Sequence, residues 1–247
     1  MTTRFATRGR RTAVPLMLAV ALVGCGDSGT SEPTEPTIPA RADAIVAASA
    51  TAMGDTTSVR FELRREGAPV FIDEFERLTL NSAIGEFAVP GSARALLEVG
   101  IEGGLATELG AIALGNEVWL SNPITGNFET LPPGYDIDPS LFFDPKNGWQ
   151  PLMENLSDVV LVGTEERDGN ARYHVNATAP AAQVEVITAR LVRNQDVAID
   201  FWIQPVTGEV REARFAADFN GAEVRWTLLL DDYGAEFEIE PPEGLSP

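Results

Sequence analysis

The sequence predicts an α+β protein, a curved antiparallel β-sheet with helices on its concave side. Three observations carry that reading. Apolar and polar residues alternate over much of the chain, the pattern of strands with one wet face. Turn pairs such as Asp168-Gly169 and Asn220-Gly221 punctuate the alternation where hairpins need them. A few short stretches switch to helical spacing, and strands with one apolar face need a cover.

The chain begins with MTTRFATRGRRT, four arginines and no acid, followed by the apolar AVPLMLAVALVG. A basic segment, a short apolar run and a small residue make up a secretory signal over residues 1–24. A spanning helix needs about 20 apolar residues, so this run is too short to remain as an anchor. Leu22-Val23-Gly24-Cys25 fits the bacterial lipobox, and Cys25 is the single cysteine of the chain. On that reading Cys25 becomes the first mature residue and carries a diacylglyceryl group on sulfur. The alternative is an ordinary signal peptide with an incidental cysteine. The position directly after the apolar run favours lipidation, since each buried CH₂ of an acyl chain contributes about 0.8 kcal/mol of anchoring.

GDSGTSEPTEPTIPA then supplies almost nothing to bury, so residues 25–40 are expected to be a disordered tether. Stretched at about 3.1 Å per residue it reaches roughly 45 Å. Residues 41–247 are expected to form one domain.

Within that body, Ala40 to Met53 is an alanine-rich helix, with Ile45, Ala48, Ala52 and Met53 on one face and a stop at Gly54. From Thr57 the period changes to two. Val59, Phe61 and Leu63 alternate with Arg60, Glu62 and Arg64. Further strands follow at Leu78 and Leu80, at Ala95 to Ile101, and at Val118 and Leu120, with turns at Gly103-Gly104 and Gly115-Asn116. In the middle, Asp138-Pro139 and Asp144-Pro145 mark turns or helix starts, and Leu152, Met153 and Leu156 recur at helical spacing. A hairpin turns at Asp168-Gly169, and PAAQVEVITARLV reads as a further helix. Val197, Ile199, Phe201 and Ile203 then face one way, with Asp200, Trp202 and Gln204 on the other.

Charge narrows the function classes. The whole chain has 18 basic and 37 acidic side chains, net −19. Removing the four leader arginines leaves 14 against 37, or −23. Such a surface repels nucleic acid and anionic headgroups, so no nucleic-acid partner is expected. The one histidine, His174, falls on the polar face with Arg172 and Asn176 and reads as a solvent-facing strand residue. One histidine and no free thiol make no zinc site of ordinary type. The chain has no Gly-x-Ser-x-Gly, His-Glu-x-x-His or phosphate-loop motif. Asp136/Asp138, Glu165/Glu166 and Asp231/Asp232 are pairs that 37 acids produce by number, with Glu165-Glu166 most simply solvated. Asp144-Pro-Lys-Asn-Gly148 has Lys146 where a calcium loop needs an oxygen ligand, and reads as a turn. No metal, no cofactor and no enzymatic activity are expected.

Read together, these segments resemble the LppX/LprAFG family of bacterial envelope lipoproteins. The resemblance begins at the lipobox and continues through ADAIVAASATAMGDTTSVRFEL and GNEVWLSNP. FFDPKNGWQPLMENLSDV is similar to the family's "DP…G…LL" segment. VGTEERDGNARYHVNATAPAAQV resembles its "G-x-E…G…Y-x-V-x-G-x-x-P" stretch, DVAIDFWIQPVTGEVREARF its "W-I-D…G" strand pair, and LLLDDYGAEFEIEPPEG its "DYG" ending. Gln204 stands where the family usually has Asp, and Asn176 lies where it varies.

Membership implies an open half-barrel whose helices cover an apolar cavity that accepts acyl chains of lipids or lipoglycans. It also implies a carrier across the envelope, with an envelope transporter as a possible partner. The protein is then expected to be a monomer, lipid-anchored on the extracytoplasmic side of a membrane, and Gly26 leaves open which membrane. The alternating faces offer Phe61, Leu63, Leu78, Leu80, Leu97, Val99, Val118, Ile199, Phe201, Trp226 and Leu228 as cavity walls. Phe142, Leu152, Met153 and Leu156 would form the helical cover. The competing class is a scaffold lipoprotein that binds another envelope protein and has no lipid cargo.

Overall fold

A computed structural model of the chain describes residues 37–243, apart from 74–75, 102–103, 116, 132–141, 145 and 189. The signal, Cys25, most of the tether, Gly103, Asn116, Asp136, Asp138, Pro139 and Pro145 lie outside the described residues.

The helices are α1 (Ala42–Gly54), α2 (Trp149–Glu154) and α3 (Ala181–Ile187). The strands are β1 (Ser58–Gly67), β2 (Leu78–Ala88), β3 (Ser92–Ile101), β4 (Leu105–Leu114), β5 (Glu117–Ser121) and β6 (Phe128–Thr130), then β7 (Ser157–Arg167), β8 (Asn170–Ala179), β9 (Val197–Ile203), β10 (Val210–Phe219) and β11 (Ala222–Asp231). All eleven form one antiparallel sheet in the order β6-β5-β4-β3-β2-β1-β11-β10-β9-β8-β7. The chain lays down one half outward from β1 to the edge β6, passes to the opposite edge β7, and returns inward until β11 pairs with β1. β6 and β7 remain separate edges, so the sheet is open.

Turn chemistry sets the registers. Asp168 and Gly169 have φ of 50° and 73°, and Asn220 and Gly221 have 54° and 83°. Two successive positive φ values are what a two-residue turn matched to the strand twist requires. In β2 a bulge at Asn81, between the pairs Leu80↔Val99 and Ser82↔Glu98, moves the inward positions from even to odd numbers.

One face of the sheet is packed under the helices. Ile45 and Met53 of α1, Leu152 and Met153 of α2 and Val184 of α3 share a core with Val175, Ile199, Phe201 and Val210. Burying each such large side chain contributes about 1.5–3 kcal/mol. The buried face of α1 is Ile45, Ser49, Ala50 and Met53, displaced from the expected Ala48 and Ala52. The cause is a polar dock: Ser49 Oγ donates to Gly208 O at 2.7 Å. Gly208, at φ 79°, lets the β9–β10 turn come so close that a Cβ there would lie 2.9 Å from Ala48 O. Ile38 is also attached, its N–H donating to Pro205 O and its carbonyl accepting from the Tyr173 hydroxyl.

Two helices are shorter than the spacing suggested. α2 ends at Glu154, so Phe142 and Leu156 lie outside it, and Phe143 stacks on Phe87 with centroids 4.7 Å apart. α3 stops at Ile187, where the branched run Val186-Ile187-Thr188 disfavours further turns and Thr188 Oγ1 bonds back to Val184 O. The segment before α2 is a turn as read, with Asp144 Oδ1 accepting from the backbone of Lys146 and Asn147.

The outer face departs from a simple wet surface. His174 is not solvent-facing: its side chain is 14% exposed and lies between Glu165 and Asp200, against Trp202. Glu165 is likewise engaged rather than merely solvated. Beyond β1, Ile84, Leu96, Ile112 and Phe128 line a shallow outer groove of about 420 Å³, and Ile84 and Leu96 are exposed. Alternation identified the faces, but on these strands the outward positions are themselves apolar.

Candidate functional site: the inner face of the sheet

Cross-strand pairing arranges the inner face in rows. Leu228, Leu63, Ala83, Leu97 and Leu109 form one row across β11, β1, β2, β3 and β4. The next is Leu230, Phe61, Gly85, Ala95, Ala111 and Leu120, and a third runs Val59, Phe87, Ala93, Ala113 and Val118. From β2 to β4 these rows are paved with Ala83, Gly85, Ala93, Ala95, Ala111 and Ala113. Small residues fill little of the layer above a sheet, so this half leaves room where β8 to β10 fill it with Val175, Ile199, Phe201 and Phe215. The Phe61 ring lies over Gly85, where a Cβ would come within 2.6 Å of it.

Burial follows the paving. The main core sits between the helices and β7–β11 and extends to Val59 of β1 and Phe87 of β2. A smaller one gathers Val70, Leu80, Val224 and Trp226 at the end of the sheet where β1 meets Gly67. Phe61, Leu63, Leu97 and Leu228 between them are only half-buried, as are Ala95, Ala111, Val118 and Leu120, which belong to neither core. The result is a strip of apolar inner face that described residues do not fully cover.

The structure places all eleven expected wall residues on this face. Phe61, Leu63, Leu78, Leu97, Val118 and Leu228 are half-buried. Val99, Ile199 and Phe201 are at most 1% exposed, and Leu80 and Trp226 are enclosed in the smaller core. Of the expected cover, Leu152 is wholly buried, while Met153 and Leu156 border a cleft of about 550 Å³ with Val46, Ala50 and Val159, between α1, α2 and β7. Phe142 is half-buried beside Phe143.

One polar group on this face escaped the sequence. Arg65 pairs across the strands with Trp226, so it points inward in line with Leu63 and Phe61. Its guanidinium donates to the carbonyls of Leu80, Gly67 and Ala68 and to Asn81 Oδ1. Alternation from Phe61 carries Arg65 to the inner side, but the apolar positions of RFELRREG stop at Leu63, so nothing in the pattern marks the arginine. The Asn81 bulge that brings its acceptor into reach has no sequence signature.

The profile of the LppX_LprAFG lipoprotein family matches residues 41–239. The chain belongs to that family. Two solved members of similar fold are LprF from Mycobacterium bovis and the lipoprotein LppX from Mycobacterium tuberculosis. LprF superposes with a TM-score of 0.65 at 17% identity, covering 85% of this chain and 100% of its own. LppX does so with 0.56 at 15% identity, covering 81% and 100%. No curated protein matches the sequence. At these identities the likeness fixes the fold: a large open antiparallel sheet with few helices, as the LppX_LprAFG resemblance implied.

Proposed function

We propose that this LppX_LprAFG lipoprotein is a non-enzymatic carrier that takes the acyl chains of a lipid or lipoglycan onto the inner face and moves them across the envelope. The observation that supports it is the half-buried apolar strip over Ala83, Gly85, Ala95 and Ala111, flanked by Phe61, Leu63, Leu97 and Leu228. Leaving one long acyl chain in water costs on the order of 10 kcal/mol, and an uncovered apolar face inside an open sheet offsets that without chemistry. Among the described residues no cluster of His, Cys, Asp and Glu is arranged to hold a metal ion.

In this reading residues 1–24 are removed, Cys25 carries the diacylglyceryl anchor, and residues 25–40 tether a single body that works as a monomer. The anchor holds the molecule on the extracytoplasmic side of a membrane, and an envelope transporter supplies or receives the cargo. The test is to produce residues 41–247 in a bacterium, purify them without detergent, and analyse a solvent extract by mass spectrometry. About one lipid per chain is expected. A lipid-free protein points instead to the scaffold that binds another envelope protein.

A further inference from the structure

We infer that Arg65 and Trp226 together form a seat for an anionic oxygen, a phosphate or carboxylate on the polar head of the acylated ligand. The inference rests on the lipid-binding reading above and specifies the chemistry of the head.

Two independent features meet at this one cross-strand pair. The first is a cation without a counter-charge. Arg65 is half-buried, and its four donated hydrogen bonds all go to neutral oxygens, three carbonyls and an amide. No carboxylate lies within ion-pair distance of it among the described residues, in a chain with 37 acidic side chains against 18 basic ones. A guanidinium has five N–H donors, so one on Nη2 remains unused. Burial alone perturbs the group, lowering its pKa as desolvation does to an unpaired cation.

The second feature is the indole of Trp226. It is 3% exposed, and among the described residues its buried Nε1–H has no acceptor. Buried donors are nearly always partnered, so this N–H is available to an oxygen that the described residues do not supply. On this cross-strand pair the spare guanidinium N–H and the indole N–H are two donors, and the one formal charge of the pair is positive. That combination selects an anionic oxygen over a neutral one. One row further along the inner face, Leu63 pairs with Leu228, where the half-buried apolar strip begins. A head seated at Arg65 would therefore lead its acyl chain directly onto the strip.

The experiment titrates the full-length lipoprotein, purified in a neutral alkyl maltoside, with dioctanoyl phosphatidic acid, dioctanoylglycerol and inorganic phosphate, each followed by native mass spectrometry. Wild type should bind the phosphatidic acid in preference to the neutral glycerolipid. Arg65→Gln should weaken phosphatidic acid about tenfold, and leave dioctanoylglycerol unchanged. Trp226→Phe removes the N–H donor while keeping a smaller aromatic ring, and should weaken phosphatidic acid several-fold with dioctanoylglycerol unchanged. It serves as the second variant where Arg65→Gln fails to fold. Equal binding of phosphatidic acid to wild type and both variants would overturn the seat while leaving the lipid-binding reading intact, with a water on Trp226 as the simplest partner. Inorganic phosphate binding as tightly as the lipid would overturn the assignment to a lipid head. Failure of wild type to bind either lipid would overturn this inference together with the carrier reading.

Discussion

His174 lies flat against Trp202, with ring centroids 4.5 Å apart and planes inclined by 18°. Its Nδ1 is 2.7 Å from Glu165 Oε1 and its Nε2 is 2.9 Å from Asp200 Oδ1. The other oxygen of Glu165 accepts the indole N–H of Trp202 at 2.8 Å. Arg167 and Arg214 stand over the same indole at 4.0 and 5.1 Å, and both pair with Glu212. Residues from β7, β8, β9 and β10 are thereby joined on the outer face, behind the main core. This lattice holds the edge strand β7 in place.

Acid should loosen it. The Trp202 indole first, and His174 second, hold the Glu165 carboxyl down from 4.5 to about 2. A depressed carboxyl stabilises the fold above its unfolded value and loses that contribution as pH falls through the folded one, here from about 4.5 to about 2. The melting temperature of wild type should exceed that of Glu165→Gln near neutral pH, and the gap should close over that window. A gap that stays constant down to about pH 2 would contradict the assignment.

Trp202 is 4% exposed although it faces outward, because the arginines and His174 cover it. Trp202→Ala should cost about 3–5 kcal/mol in denaturant unfolding. Trp202→Phe, which keeps a ring but leaves Glu165 without its indole donor, should cost about 1–2 kcal/mol. Near-equal losses for the two variants would show that the ring, not the indole hydrogen bond, carries the effect.

α1 depends on the β9–β10 turn. Gly208→Ala forces a positive φ on alanine and drives its Cβ against Ala48 O, so a loss of roughly 1–3 kcal/mol is expected. Ser49→Ala leaves Gly208 O without its donor and should cost about 1–2 kcal/mol. The two share one contact, so the double variant should lose less than the sum. Additive losses, measured by chemical unfolding, would separate the helix from the turn.

Cys25→Ala should move the protein out of the membrane fraction, because it removes the thiol that carries the proposed diacylglyceryl anchor. Immunoblots of washed membranes decide it, and full retention would defeat the proposed anchor.

Much of the sheet was legible because its hydrophobic period is clean. Alternation places Phe61, Leu97, Phe201 and Leu228 on apolar faces, and cross-strand pairing joins those into one face. β4 carries a weaker signal, because the alanines and Gly110 of LATELGAIAL blur its two faces. The adjacency of β1 and β11 is a contact between the two ends of the body, which no local pattern encodes. The same limit hid the lattice around Trp202: Glu165, His174, Asp200 and Arg214 are ordinary polar strand residues until four strands bring them together. Arg65 is a related case, since only the folded sheet shows its four hydrogen bonds all going to neutral oxygens.

The carrier reading puts the acyl chain on the inner face of the sheet. A phospholipid with a photoreactive group in mid-chain, irradiated with the purified lipoprotein and mapped by peptide mass spectrometry, shows which face it meets. Label on peptides containing Phe61, Leu63 or Leu228 is the expected result. Label confined to the outer-groove peptides of Ile112 and Phe128, or absent altogether, would contradict it.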